Sequence, residues 1–466
     1  MKIAAHTLGC KLNYAETSDL LRRFSTLGHT IVDFHQAADL YIINTCTVTA
    51  VAEKKCRTII RQAHRLNPDA QIAVIGCFAQ VAAADIERIP GVTLVLGNDR
   101  KHLLPEIVGT LPASGGNPGN PGNQQFSNTS NIDGQQVDTT NKNDFQDLAK
   151  RETGGDMPKF PLQYSSGDRT RTFFKIQDGC DYFCTYCAIP FARGRSRSAT
   201  IEETLCMARR IADEGAKEVV LTGVNTGTFG QMDRRHPAGT PHPEPFLDLL
   251  RGLDQIDGIQ RYRISSIEPN LLTDDIIDFV ASSRAFLPHF HIPLQAGSDH
   301  VLQLMHRRYD TALYRAKIER IKAVMPDACI AADVMAGFNG ENEEEFAKVL
   351  SFIDSLPISY LHVFTYSDRP GTAALRLGEK IPIPVRHEHT ARLLELSEKK
   401  HNEFISSQIG KTRPVLWESK PVENATLMEG WTDNYIRLSR PYDPALVATI
   451  TLETITPDNL VRKTIE

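Results

Sequence analysis

Residues 179–190 read GCDYFCTYCAIP and follow directly on RTFFKIQ (171–177), a run of the kind that forms a buried strand. Cys180, Cys184 and Cys187 therefore stand as C-x3-C-x2-C on one loop behind a strand. Three thiolates so close together can grip three irons of a cubane cluster and leave the fourth iron open. An open iron is what S-adenosylmethionine needs to chelate through its amino and carboxylate groups, bringing its sulfonium beside the cluster for one-electron reduction. The alternative is a structural zinc loop, but such sites want four protein ligands and no fourth Cys lies nearby.

Towards the C-terminus the pattern of that first strand repeats: EVVLTG (218–223), RYRISS (261–266), PHFHIPL (288–294), CIAADVMAG (329–337) and YLHVFTY (360–366). Helical stretches such as IEETLCMARRIADEG (201–215) and TALYRAKIERIKAVM (311–325) lie between them. Six strand–helix repeats predict a partial (β/α)6 barrel over 166–405, with chemistry collected where the strands end. The tail, 406–466, loses helical periodicity. Its runs PVLWES, NYIRLSR and LVATITLETI alternate like strands and predict a small antiparallel β-barrel.

Towards the N-terminus, 110–165 contains GGNPGNPGNQQFSNTSNIDGQQ, too poor in large apolar residues to offset the entropy of ordering, and reads as a low-complexity insertion or linker. Residues 1–109 alternate apolar runs (KIAAHTLG, IVDF, DLYIINTC, QIAVIGC, VTLVLG) with helices over 14–27 and 49–66. That alternation predicts an α/β domain with a doubly wound, flavodoxin-like sheet. Cys10, Cys46 and Cys77 each stand just past a predicted strand, in TLGC, INTC and VIGC. Parallel strands present their carboxyl ends at one edge, so the three sulfurs can converge into a second three-thiolate site. Core packing and a zinc site completed by His6 are the alternatives. Cys56 and Cys206 fall on helices and Cys329 opens a barrel strand away from the reactive end, so these three read as inert.

At 466 residues the chain is long enough for about three domains of ~150 residues each. It has no run approaching the ~20 apolar residues of a membrane helix. Its start, MKIAAHTLGCKLNYAE, does not read as a secretory signal, so a cytoplasmic, reducing location is expected and the nine cysteines point to metal or thiolate chemistry. The formal net charge of −5 requires any nucleic-acid contact to be a local basic patch.

The two trios in this order resemble the methylthiotransferases of the radical S-adenosylmethionine superfamily, and in detail their MtaB-like branch. TLGCKLNYAE, INTCTVT, GCFAQ, KIQDGCDYFCTYCAIPFARGRSRS, LTGVNTGTFG, RISSIEP, HIPLQAGSD, GFNGE, HVFTYSDRPGTAA and GWTDNYIRL carry the likeness. Sister branches read more like FGCQMN with GQNVNSY, or LGCPKN. The departures are the Asn/Gly-rich insertion and Asn339, where the family commonly has Pro.

The resemblance implies two [4Fe-4S] clusters, on Cys180/Cys184/Cys187 and on Cys10/Cys46/Cys77. It implies S-adenosylmethionine as cofactor and methylthiolation at C2 of N6-threonylcarbamoyladenosine beside the tRNA anticodon. An electron donor of flavodoxin or ferredoxin type is implied as well, while the sulfur source stays open. The same chemistry on isopentenyladenosine or a ribosomal protein, and a non-catalytic iron–sulfur RNA-binding protein, are the rival functions. By location Tyr186 packs against the cofactor's adenine, Thr222 and Gly223 take its methionine end, Ser266 and Glu268 its ribose or amino groups, and Gln295 with Ser298 the substrate side. Tyr366, Ser367 and Arg369 are weaker candidates. Arg193, Arg195 and Arg197 suit a phosphate or a carboxylated base substituent. The tail resembles a TRAM domain, in which Trp431, Tyr435 and Arg437 would meet RNA.

Overall fold

The computed structural model describes residues 1–109, 129–132, 135–138, 160–167, 170–230, 245–418 and 426–461. Two compact units form: Met1–Pro161 with Phe191–Arg193, and Leu162–Pro190 with Gly194–Glu466.

The first unit is built on five parallel strands, β1 (Lys2–Thr7), β2 (Thr30–Ile31), β3 (Leu40–Thr45), β4 (Gln71–Gly76) and β5 (Val92–Leu96), in the order β2-β1-β3-β4-β5. That is the flavodoxin-like order expected of the sequence, with its switch point between β1 and β3. Alternate strand residues feed two cores. Ile3, Ile42 and Ile75 pack with Leu20 and Phe24 of α1 (Lys11–Thr26). Ala4, Tyr41, Ile43 and Val74 pack on the other face with Cys56, Ile60 and Ala63 of α2 (Ala50–Leu66). Thr49 caps α2 by accepting from the Ala52 amide at 3.1 Å. The expected strand IVDF shrinks to an exposed two-residue edge, because Asp33 instead closes a turn by accepting from the His35 amide at 2.8 Å. Most of the 110–165 linker lies outside the described residues; within it β6 (Thr129–Ile132) and β7 (Gln135–Asp138) pair antiparallel.

In the second unit β8 (Gln163–Tyr164) runs antiparallel to β9 (Arg171–Lys175), and β9, β12 (Glu218–Thr222) and β13 (Arg261–Ile264) are parallel neighbours. β14 (His289–His291), β15 (Cys329–Ala336) and β16 (Tyr360–Thr365) form a second parallel group. Parallel bridges Tyr262–Phe286 and Ser266–His291 join the two groups. Six strands thus follow one another as the open (β/α)6 arrangement the repeats predict. Phe174, Leu221, Phe290, Ile330, Val334 and Leu361 belong to the core shared with the surrounding helices. Just after β9, β10 (Gln177–Asp178) pairs antiparallel with β11 (Arg197–Ser198), closing the base of the segment that carries the cysteine loop and a short helix, Ile189–Arg193.

The tail is an antiparallel sheet in the order β19-β18-β17-β20, from β17 (Thr412–Trp417), β18 (Leu427–Thr432), β19 (Arg437–Pro441) and β20 (Ile450–Thr454). It forms a small antiparallel half-barrel. Its apolar face, Val415, Trp417, Met428 and Leu438, packs on Cys329, Ala331 and Tyr360 of the central strands, which substitutes for closure of the sheet on itself.

Candidate functional site

Cys180, Cys184 and Cys187 lie past the end of β9 on a loop with little freedom. Gly179 has φ +71°, and a Cβ there would stand 2.0 Å from the Arg195 carbonyl oxygen, so only glycine lets the two ends of the loop close. Thr185, between the cysteines, donates from its amide to Met305 O (3.1 Å) and from its hydroxyl to Leu304 O (2.8 Å). These bonds bring the 304–309 segment against the loop, and Arg307 with it.

The three thiols are neighbours. Burial pushes Cys187 up to about 12, with Cys184 and Cys180 adding to the rise, and burial pushes Cys180 up to about 11. Amides of Tyr182 and Ile189 point at Cys180 and Cys187, and Arg307 Nη1 donates to Cys184 Sγ at 3.1 Å. All three are free cysteines. A set of buried and half-buried thiols costly to ionise alone, each already facing a donor, fits a metal cluster, whose own charge deprotonates coordinating thiols.

Cys10, Cys46 and Cys77 each follow a strand end of the first unit, β1, β3 and β4 respectively, as the sequence predicts. Burial pushes Cys46 up to about 12, and the Cys10 and Cys77 thiols add to this; Cys10 and Cys77 are within electrostatic reach of each other as well. Gly9, at φ +97°, crosses so closely over Cys46 that a Cβ would lie 2.8 Å from its Sγ. Buried amides stitch the three loops together. Asn13 donates to Leu8 O (2.8 Å) and Thr45 O (3.1 Å), Asn44 to Asn13 O (3.0 Å), and the Thr45 hydroxyl to Ile75 O (2.7 Å). Asn98 Nδ2 lies 3.5 Å from Cys77 Sγ. His6 packs its ring on Phe34 at 5.0 Å and has its pKa lowered by burial, which gives it a packing environment. The second donor set again fits a cluster held by three thiolates. Cys56 and Cys329 are buried in apolar cores, and Cys206 is exposed on its helix.

The other sequence candidates divide. Tyr186 packs edge-on to Phe338 (6.1 Å), and its hydroxyl lies 3.4 Å from Arg307 Nη1. Glu268 forms an ion pair with Arg307. Thr222 ends β12 with a buried hydroxyl that has no hydrogen-bond partner among the described residues. Next to it, a Cβ on Gly223 would lie 2.8 Å from Gln177 Oε1, the atom that accepts from the Val224 and Asn225 amides. Ser266 aligns with His291 across the strand gap, and Gln295, at φ +63°, bridges to Val334 on β15. Ser298 caps its helix, accepting from the Val301 amide at 3.4 Å, and bonds Glu345. Tyr366 and Arg369 are buried, the Tyr366 ring beneath Arg386.

The three arginines do not form one basic face. Arg193 is 3% exposed and belongs to the first unit, where it donates to Asn13 Oδ1 (2.5 Å) and Glu16 Oε1 (3.2 Å); it is a buried structural cation. Arg197 pairs with buried Asp178 at 3.0 Å. Arg195 alone is exposed, pairing with Asp181 at 3.2 Å over the ring of exposed Phe183. In the tail, Trp431 stacks on Tyr435 (4.4 Å), Tyr435 on His289 (4.4 Å), and Arg437 pairs with Glu429. Arg171 lies over the Trp431 ring at 5.0 Å and Arg263 over the Tyr435 ring at 5.0 Å, and all three tail residues stay half-buried.

Residues 2–97 match the uncharacterized protein family UPF0004 and residues 174–353 the radical SAM superfamily. The threonylcarbamoyladenosine tRNA methylthiotransferase MtaB of Bacillus subtilis (strain 168) is 38% identical over 94% of this chain and 89% of its own. Its namesake from Aquifex aeolicus (strain VF5) is 34% identical over 94% and 97%. This chain belongs to the radical SAM methylthiotransferase family. Another family member, the tRNA-2-methylthio-N(6)-dimethylallyladenosine synthase of Carboxydothermus hydrogenoformans, is 32% identical over 91% of this chain and 90% of its own. Among solved structures, a radical S-adenosylmethionine methyltransferase, TsrM from Kitasatospora setae, shares the fold at a TM-score of 0.51 and 14% identity, covering 80% of this chain and 76% of that one. Membership makes S-adenosylmethionine and one [4Fe-4S] cluster cofactors of this enzyme, and the Cys180 loop has the donors for that cluster.

Sequence reasoning missed Arg307 and the Asn13–Asn44 stitching. The only local signal in LMHRRYD (304–310) is a pair of adjacent arginines, Arg307 and Arg308.

Proposed function

We propose that this enzyme methylthiolates C2 of N6-threonylcarbamoyladenosine beside the anticodon of tRNA. The observation that carries it is the pair of three-thiol sites, each gathered at the carboxyl edge of a parallel sheet and each lined with hydrogen-bond donors. The relatives named for this reaction support it at 38% and 34% identity over nearly the whole chain.

Cys180, Cys184 and Cys187 hold the first cluster; Cys10, Cys46 and Cys77 hold a second [4Fe-4S] cluster that keeps the sulfur to be inserted. When bound, the first cluster supplies the electron that splits S-adenosylmethionine into methionine and a deoxyadenosyl radical able to take hydrogen from an adenine C2. The chain's own residues bind, orient and exclude water. Thr222 and Gly223 take the cofactor's methionine end, Tyr186 flanks its adenine, and Ser266 and Glu268 take ribose or amino groups. Gln295 borders the substrate, and Arg307 positions both Glu268 and the Cys184 sulfur. The units expected over 1–109, 166–405 and 406–466 serve as sulfur-holding, radical-generating and RNA-docking parts. No helix among the described residues is long and apolar enough to cross a membrane. The enzyme works in the cytoplasm with a flavodoxin- or ferredoxin-type reductant.

The isopentenyladenosine reaction is the second reading, favoured by the relative at 32% identity that carries that name. The deciding experiment incubates reconstituted protein, reductant and S-adenosylmethionine with tRNAs carrying one or the other modification, followed by nucleoside mass spectrometry. Methylthiolation of the threonylcarbamoylated tRNA alone is expected; conversion of the isopentenylated tRNA alone would reverse the assignment.

A further inference from the structure

Strands β14, β15 and β16 carry a second set of ligand-type side chains that radical chemistry on the cysteine loops leaves unused. His291, Asp333 and His362 each offer one donor atom, and the three atoms lie within 4.8 Å of one another. Register explains why they meet. Asp333 and His362 are direct partners across β15 and β16, and His291 pairs with Ala331, two residues before Asp333. In-register residues share a face, so all three project from the same side. Their neighbours along the strands, Phe290, Ile330, Ala332, Val334 and Leu361, belong to the apolar core shared with the helices. The trio therefore occupies the opposite, interior face of the partial barrel.

The set is pre-formed. His291 Nε2 and Asp333 Oδ1 are 2.7 Å apart, the His291 and His362 rings are 5.2 Å apart, and Tyr360 meets the His362 ring edge-on at 5.2 Å. All three residues are half-buried, so water reaches the set without flooding it. Two imidazoles and a carboxylate on adjacent strands of a rigid sheet form a three-ligand donor set. Such sets bind mononuclear divalent transition ions and leave coordination positions open, and their imidazole content disfavours Mg2+ and Ca2+.

We infer that His291, Asp333 and His362 form a mononuclear divalent-metal site of the Zn2+ class inside the barrel, separate from both cysteine trios. A hydrogen-bonded His–Asp–His network that binds no ion is the competing outcome. The inference stands whether the tRNA substrate is the threonylcarbamoylated or the isopentenylated one.

The test uses the full chain with its clusters reconstituted anaerobically, equilibrated with Zn2+, washed with a weak chelator, and analysed for zinc and iron by mass spectrometry. About one zinc per chain beyond the iron is expected, with a zinc X-ray absorption shell of nitrogen and oxygen. Asp333→Asn, which keeps the side chain's shape, and His362→Gln each remove one of the three ligands and should weaken zinc binding at least about 100-fold and leave iron content unchanged. Unchanged iron shows that the variants are folded. Absence of retained zinc in the unaltered protein, zinc retained equally by both variants, or a sulfur shell around the zinc would each overturn the site.

Discussion

Arg307 donates to the Cys184 sulfur at 3.1 Å while its guanidinium also pairs with Glu268. Burial works against its charge, but Tyr186, Glu268, Tyr309 and Cys184 around it hold its pKa well above the ordinary arginine value. One cation therefore ties a cluster-loop sulfur to the residue at the end of the β13 segment. Donors to ligating sulfurs tune both affinity and potential. Arg307→Ala should leave most of the iron bound yet reduce S-adenosylmethionine cleavage roughly 10–100-fold and shift the reduced cluster's electron paramagnetic resonance signal. Arg307→Lys should recover part of both. Wild-type signal and cleavage in Arg307→Ala would reduce the arginine to a packing role.

The two proposed cluster sites make a prediction about metal content. Changing Cys180, Cys184 and Cys187 together to Ala should leave about half the iron of the reconstituted protein, because ligands leave one site only. A folded variant that loses all its iron would mean the first-unit trio holds no cluster of its own.

The half-reactions should separate in the opposite variant. With Cys10, Cys46 and Cys77 all changed to Ala, reductive cleavage of S-adenosylmethionine should continue while sulfur insertion ends. Deoxyadenosine and methylthiolated nucleoside, quantified in the same reaction, check this, and full methylthiolation would remove the sulfur-holding role.

How far these sites were legible in the sequence follows from the distance between partners. Cys10, Cys46 and Cys77 are far apart in the chain, yet each ends an apolar run, and parallel strands must end at one edge, so their meeting could be read in advance. Arg307 could not, because its sulfur partner lies 123 residues away and only the Thr185 anchors bring the segments together. The Arg193–Arg197 stretch divides for a local reason. Arg193 closes a one-turn helix and turns inward to Glu16, 177 residues away, whereas Arg197 lies on β11 opposite Asp178. Alternating cations in sequence thus became three separate environments. In the tail, Trp431 and Tyr435 are half-buried and lie against Arg171, Arg263 and His289, far away in the chain, so no local pattern announces these contacts.

Glu218 supplies a test of stability and its pH dependence. It is fully buried beneath Arg263 (2.7 Å) and Arg261 (3.5 Å), whose guanidiniums also hold tail carbonyls, including Thr432 O (2.8 Å) and Trp431 O (3.0 Å). Burial alone would raise its pKa, but Arg263 and Arg171 outweigh burial and lower it below 4.5. A lowered folded-state pKa gives stability that is present above the unfolded value and lost as pH falls through the folded one. Glu218→Ala strands two buried cations and should destabilise the second unit by about 3–5 kcal/mol near neutrality. Its deficit should shrink below pH 4.5, which thermal melts across pH would reveal; a constant deficit would place the effect in packing.

The last prediction concerns substrate choice. Threonylcarbamoyladenosine carries a carboxylate that isopentenyladenosine lacks, and a carboxylate removed from water needs a cation or several donors. Arg193 is enclosed in the first unit and Arg197 is committed to Asp178, a buried carboxylate that Lys175 also holds at 3.0 Å. Arg195 remains. Its pair with Asp181 leaves the arginine side chain 58% exposed, and a surface pair of this kind contributes only about 0–1 kcal/mol, so exchange for a ligand carboxylate costs little. A charge-assisted hydrogen bond contributes roughly 1.5–3 kcal/mol, or about 10–100-fold in rate when it is made in the reacting complex. Arg195→Gln should therefore lower methylthiolation of threonylcarbamoylated tRNA by about that factor while uncoupled cleavage of S-adenosylmethionine stays near the wild-type rate. Arg193→Gln should instead lower the melting temperature, because it takes one buried cation away from the buried Glu16, which Lys101 also holds. Equal losses in both assays for Arg195→Gln would move that arginine to the cofactor side of the loop.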